Sequence, residues 1–170
     1  LAVALTADGQ QAVSASKDGT LKLWNLASTA ALRTAEMRTA ALRTAALRTA
    51  ALRTFRGHTD RVNAVAVTAD GRQAVSASDD GTLKLWDLAG GTALHTFRGH
   101  NDGVNTVAVT AGGQRAVSAS KDHTLKVWDL PRAPELHTAE MRTAEVRTLR
   151  GHTGRVNAVA LTADGRLAVS

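Results

Sequence analysis

The chain has 170 residues, 44% of them apolar, no cysteine and a formal net charge of +6. The apolar share suits a globular protein rather than a disordered one. The lack of cysteine excludes a disulfide framework and thiolate chemistry, and no run of 18 apolar residues offers a transmembrane helix. Leu1–Thr6, Gln11–Ser16 and Thr20–Leu26 read as three strands joined at Asp8-Gly9 and Asp18-Gly19. Asp-Gly between short β-prone runs is a hairpin signal, because glycine takes up the positive φ of tight turns. A five-residue period follows from Ala30 (AALRT, AEMRT, AALRT, AALRT, AALRT), and after it comes Gly57-His58.

The stretch Gly57–Asp87, GHTDRVNAVAVTADGRQAVSASDDGTLKLWD, is the unit on which the chain is built. The frame returns at Gly99–Asp129, 42 positions later, and begins again at Gly151, after 52. A version without its Gly-His occupies Leu1–Asn25, offset by 62. The fourth strand of the second unit is expected within Thr92–Arg98, just before Gly99-His100. Two departures stand out in the third unit: Ala111-Gly112-Gly113 replaces Ala-Asp-Gly, and His123 stands where the other turns have glycine. The latter carries a steric cost if the turn needs positive φ.

Repeats of about 40–45 residues running from Gly-His to Trp-Asp resemble the WD-repeat β-propeller family. The resemblance covers about three quarters of the chain. It implies an all-β fold of four-stranded antiparallel blades in an incomplete or open ring, since propellers usually hold four to eight blades. On that frame the chain is a single partial propeller, 1–170. Blade 1 is 1–56 with an insertion at about 30–54, blade 2 is 61–98, blade 3 is 103–150 with an insertion at about 134–148, and a half blade 4 is 155–170. The sequence opens at Leu1 inside one expected strand and stops at Ser170 inside another, so it reads as a piece of something longer.

The insertions exceed the 42-residue repeat by 20 and 10 residues, whole pentads in each case. Their Ala, Leu, Met, Arg and Glu favour helix, but a five-residue period lays down no apolar stripe on a helix and flips successive leucines across a strand. Solvated helix comes first, ahead of an extended loop, with a square pentapeptide-type coil last. Seven arginines (Arg33, Arg38, Arg43, Arg48, Arg53, Arg142, Arg147) face four glutamates (Glu36, Glu135, Glu140, Glu145) there, so the insertions supply +3 of the charge and the blades the other +3.

One constellation resembles chemistry. His58, Ser76, Asp80 and Trp86 recur as His100, Ser118, Asp122 and Trp128; blade 1 keeps Ser14, Asp18 and Trp24, and blade 4 has His152 and Ser170. Ser, His and Asp could form a hydrolase triad. Catalysis needs one such set, however, whereas this one recurs per blade, and no Gly-x-Ser-x-Gly elbow accompanies it. The family resemblance implies instead a structural tetrad: Trp N–H to Ser, Ser to His, His to Asp. His95, His123 and His137 form no close ligand pair, so no metal site is expected. Asp79-Asp80-Gly81 lacks the spaced oxygen ligands of a calcium loop, no phosphate-binding glycine loop appears, and no cofactor is expected.

The sequence thus points to a non-catalytic interaction scaffold or sensor for a protein or peptide. Thr59, Asp60, Arg61, Asn101, Asp102 and Gly103 are the candidate partner-facing residues. The alternative makes the arginine-bearing pentads a basic arm for nucleic acid or an acidic protein. A lack of aromatics beyond Phe55 counts against single-strand nucleic acid. No membrane partner is expected, self-association through open blade edges is, and the expected location is cytoplasmic.

Overall fold

The computed structural model describes residues 2–26, 51–131, 145–162 and 167–170. The described residues contain no helix, and so none long and apolar enough to cross a membrane. They form three four-stranded antiparallel sheets and one two-stranded sheet, stacked side by side without closing into a ring. The first sheet runs β1 (Ala2–Leu5), β2 (Gln11–Ala15), β3 (Leu21–Asn25), β4 (Arg53–Phe55). The second runs β5 (Val62–Val67), β6 (Gln73–Ser78), β7 (Leu83–Asp87), β8 (Ala93–Phe97). The third runs β9 (Val104–Val109), β10 (Arg115–Ser120), β11 (Leu125–Asp129), β12 (Glu145–Leu149). Finally β13 (Ala160–Leu161) pairs with β14 (Ala168–Val169). The first strand expected in the fourth unit is therefore shorter than its counterparts, β5 and β9.

Turn chemistry sets the hairpins. Between β5 and β6 the Thr68 hydroxyl donates to Asp70 Oδ1 at 2.6 Å, and the Arg72 N–H donates to the same oxygen at 3.1 Å. Gly71 follows at φ 68°. This Asx-type turn exploits a short side chain that accepts from the backbone two residues on. The corresponding turn of the third sheet keeps Gly113 at φ 66° but has Gly112 in place of the aspartate.

Packing is between sheets. Val13, Ala15, Leu21, Leu23 and Phe55 of the first sheet bury against Val62, Val65, Ala74, Trp86 and Leu88 of the second repeat. The second and third sheets repeat the scheme, with Leu83, Leu85 and Phe97 against Val104, Val107 and Trp128. Strands apolar on both faces are what a sheet covered on both sides requires.

The pentad insertions lie mostly outside the described residues, and with them the expectations of helix, loop or coil. Their last pentads are described in part. Residues 53–54 and 145–148 are fourth strand rather than insertion: Leu21 pairs with Phe55 and Leu23 with Arg53, and likewise Leu125 with Leu149. Phe55, fully buried, sets that register by meeting Trp86 edge-on with centroids 5.7 Å apart.

Asparagine locks the second repeat to the third and the third to the fourth. The β5–β6 register skips Asn63, and the β9–β10 register skips Asn105. Such bulges re-aim a side chain. Asn63 Nδ2 donates to Asp79 Oδ1 at 2.7 Å and to the Val104 carbonyl of the neighbouring sheet at 3.0 Å; Asn105 Nδ2 donates to the Val156 carbonyl at 2.8 Å.

Candidate functional site

Each tetrad gathers one residue from the loop before the first strand, one from the second strand, one from the turn after it and one from the third strand. Register brings them together: Ala74 lies opposite Trp86 and Ser76 opposite Lys84, which puts the Trp86 indole over Ser76. In the second blade Trp86 Nε1 lies 2.8 Å from Ser76 Oγ, His58 Nε2 lies 2.7 Å from the same oxygen, and His58 Nδ1 lies 2.7 Å from Asp80 Oδ2. The third blade repeats this with Trp128, Ser118, His100 and Asp122 at 2.8 Å for each contact.

The donors can be assigned. The indole N–H only donates, so serine accepts from it; an ionised aspartate only accepts, so His Nδ1–H donates to it. The serine hydroxyl then donates to the lone pair on Nε2. Every polar side-chain atom of the network has a partner, and no buried side-chain nitrogen or oxygen among the described residues lacks one. A half-satisfied network of this kind would cost more than an apolar core.

Burial lowers the His58 pKa below its usual value, against the opposing pull of Asp80. Burial works to raise Asp80, but hydrogen bonds from Thr82 and His58 outweigh it and bring its carboxyl down to about 2. Asp80 Oδ1 accepts from the Thr82 hydroxyl at 2.6 Å and the Thr82 N–H at 3.0 Å, and Oδ2 accepts from the Thr59 N–H at 3.1 Å. Asp122 sits well below the usual carboxylate value: burial again works to raise it, and bonds from Thr124, His100 and the Asn101 N–H prevail. The set has the contacts of a Ser-His-Asp triad. Yet Ser76 and Ser118 are fully buried, and an indole occupies each hydroxyl, which leaves no approach for a carbonyl to be attacked.

The other copies are partial. In blade 1, Trp24 Nε1 donates to Ser14 Oγ at 2.9 Å, while Asp18 accepts from Thr20 rather than from a histidine. At the other end His152 Nε2 lies 2.7 Å from Ser170 Oγ, and both residues are exposed.

Above the tetrads the loops are fixed to the blades below. Ser78 Oγ donates to the Asp60 carbonyl and Ser120 Oγ to the Asp102 carbonyl, both at 3.1 Å. Thr59, Asp60, Arg61, Asn101 and Asp102 are exposed. Gly103 is buried instead. A Cβ there would lie 2.7 Å from Asp79 Oδ1 and 3.3 Å from Lys121 Nζ, the two ends of an ion pair between neighbouring blades that is itself 2.7 Å long. Among the described residues no group of three or more His, Asp or Glu could hold a metal.

Two elements of this face escaped the sequence reading: Asn63 with Asn105, and the Asp79–Lys121 pair. Asparagine is depleted in strands, and its return at the same point of every unit that opens with Gly-His was the available signal. The ion pair had none, since Asp79 and Lys121 occupy equivalent turn positions 42 residues apart.

The family profile described as "WD domain, G-beta repeat" matches residues 1–25, 50–87, 91–129 and 143–170. The chain belongs to the WD-repeat family. Its WD repeats are similar to those of nuclear distribution protein PAC1-2 of Uncinocarpus reesii, 34% identical over 82 residues, which are 48% of this chain and 14% of that protein. Nuclear distribution protein PAC1 of Candida tropicalis is 32% identical over 78 residues, 46% of this chain and 16% of its own length. A probable E3 ubiquitin ligase complex SCF subunit, sconB of Aspergillus clavatus, is 64% identical over 33 residues, 19% of this chain and 5% of that protein. The WD-repeat chain thus spans less than a fifth of the length of each.

Proposed function

We propose that the chain is a non-catalytic scaffold that presents the loops over its tetrads to a protein or peptide. One observation carries this reading: loop backbones pinned by hydrogen bonds to the blades below hold exposed side chains at Thr59, Asp60, Arg61, Asn101 and Asp102. A surface ordered before binding loses little conformational freedom on association. The relatives fit, in that one is named as a subunit of a protein complex. Peptides selected from a displayed library on the intact chain should lose at least tenfold in affinity on Arg61→Glu with Asn101→Ala, at an unchanged melting temperature. Selected peptides that bind the variant equally well would count against it.

A second reading gives the pentad arginines a role with nucleic acid or an acidic protein. Both connections leave their blades beside the first hairpin turn, away from the tetrad loops: the Leu26 N–H donates to the Gln10 carbonyl at 2.7 Å, and the Leu130 N–H donates to the Gln114 carbonyl at 2.8 Å. Arginines carried from one face by alternate blades would add to one basic surface. Deleting residues 35–54 rejoins Leu32-Arg33-Thr34 to Phe55 and so restores the sequence of β4. Binding to an oligonucleotide that is steeply salt-dependent and lost in this deletion supports the reading; a flat salt response removes it.

A further inference from the structure

Among the differences between the second and third repeat units, two meet at one contact. The turn after the second strand opens with Lys17, Asp79 and Lys121 in successive blades, and the loop before the first strand ends with Arg61, Gly103 and Arg155. A strict repeat would set like charges against each other where these turns face across a seam. Instead, Lys121 Nζ lies 2.7 Å from Asp79 Oδ1. The space for the pair exists because Gly103 has no side chain, since a Cβ there would lie 2.7 Å from the same oxygen. The two side chains are only 28% and 19% exposed, so salt screens them less than it screens a surface pair.

Each end of the pair is tied to a loop. The Asp79 N–H donates to the Arg61 carbonyl at 2.9 Å, and the Lys121 N–H donates to the Gly103 carbonyl at 3.0 Å. Asn63 Nδ2 donates to Asp79 Oδ1 at 2.7 Å and to the Val104 carbonyl at 3.0 Å. The turn that carries Asp79 also backs onto the loop of the next blade: a Cβ on Gly81 would lie 3.7 Å from the Asp102 carbonyl oxygen. Residues 57–61 and 99–103 belong to different blades, yet contacts run without a break from Arg61 through Asp79 and Lys121 to Gly103.

We infer that Asp79 and Lys121 are positioning residues, a clamp that holds these two loops at one separation so that their exposed side chains form a single surface. The consequence for binding rests on the scaffold reading above; the clamp itself does not. A partner that touches both loops benefits from their fixed spacing, because no freedom between them is lost on association. A partner that touches one loop does not.

The chain has no cysteine, so Thr59→Cys with Asn101→Cys in the full chain places one spin label on each loop, both at exposed positions. Double electron–electron resonance should give one narrow distance distribution. Asp79→Asn and Lys121→Met should each widen it about twofold, and together no further, because they break one contact. Lys121→Arg, which keeps the charge, should leave it narrow. A width that does not respond to Lys121→Met overturns the clamp. In the unlabelled chain, selected peptides that lose affinity on both Arg61→Glu and Asn101→Ala should weaken about tenfold on Lys121→Met. Peptides sensitive to only one of those two substitutions should bind as before. Undiminished binding of the two-loop peptides to Lys121→Met overturns the positioning role. Failure to select any peptide counts against the scaffold reading alone, and the distance distribution still decides the clamp.

Discussion

His58 and His152 open the same Gly-His-Thr loop in two repeats, and each places Nε2 2.7 Å from a serine oxygen. At His58 the serine is buried, an indole donates to it, and Asp80 holds the second ring nitrogen. At His152 the pair is exposed, and among the described residues neither an indole nor a carboxylate joins it. The histidine–serine contact therefore follows from the loop and the second strand alone. What converts that contact into a fastener is the third strand with the turn before it, which brings the tryptophan and the aspartate and shuts out water.

Trp86→Ala removes the indole buried between the first and second sheets and should cost about 3–5 kcal/mol in denaturant unfolding, the range of large aromatic deletions in cores. A loss under about 1 kcal/mol would show that the indole is not what closes the network. His58→Ala leaves Ser76 and Asp80 without their shared partner and should cost about 2 kcal/mol. His152→Ala, at an exposed pair, should change stability by less than about 0.5 kcal/mol. Equal effects at the two histidines would erase the distinction.

Acid should act in the same direction at two points. The His58 pKa lies below its ordinary value of 6.5 in the fold, so the unfolded chain binds the proton first. The stability it contributes is complete above 6.5 and declines as pH falls below it. Asp80 falls from an ordinary 3.8 to about 2, and its contribution is present above 3.8 and lost as pH falls through about 2. Melting temperature should therefore drop in two stages on acidification, and His58→Gln should shrink the upper one, to which the half-buried His95 also contributes. A profile unchanged by that substitution would contradict the linkage.

The smallest effects belong to the departures in the third blade. His123 holds φ 66° where Gly19 and Gly81 hold 76° and 78°, so His123→Gly should stabilise by about 1 kcal/mol, the steric cost of a left-handed non-glycine residue. Gly112→Asp restores the side-chain acceptor that Asp70 gives Thr68 and meets no atom within 4 Å; a gain of about 0.5–1 kcal/mol is expected in thermal unfolding.

The blades were legible in the sequence because identical spacings recur and Asp-Gly turns bound each strand. The tetrads were legible because four residue types returned in step. Asn63 and Asn105 were not recognised as fasteners, since a bulge is a matter of register between two strands, which alternation of apolar residues along one strand does not reveal. Gly103 read as partner-facing by its position in the repeat, yet it is buried. Only the approach of Asp79 and Lys121 from two different blades shows why the residue there is small and buried. Likewise Leu52-Arg53-Thr54 is indistinguishable from the pentads before it except for the Phe55 that follows and anchors it.

The most direct measurement of the central claim is the protonation of the tetrad histidines, read from imidazole ¹⁵N chemical shifts of the intact chain near pH 7. A closed chain from Trp86 through Ser76 and His58 to Asp80 requires His58 to be neutral with its proton on Nδ1. A proton on Nε2, or on both nitrogens, would contradict it.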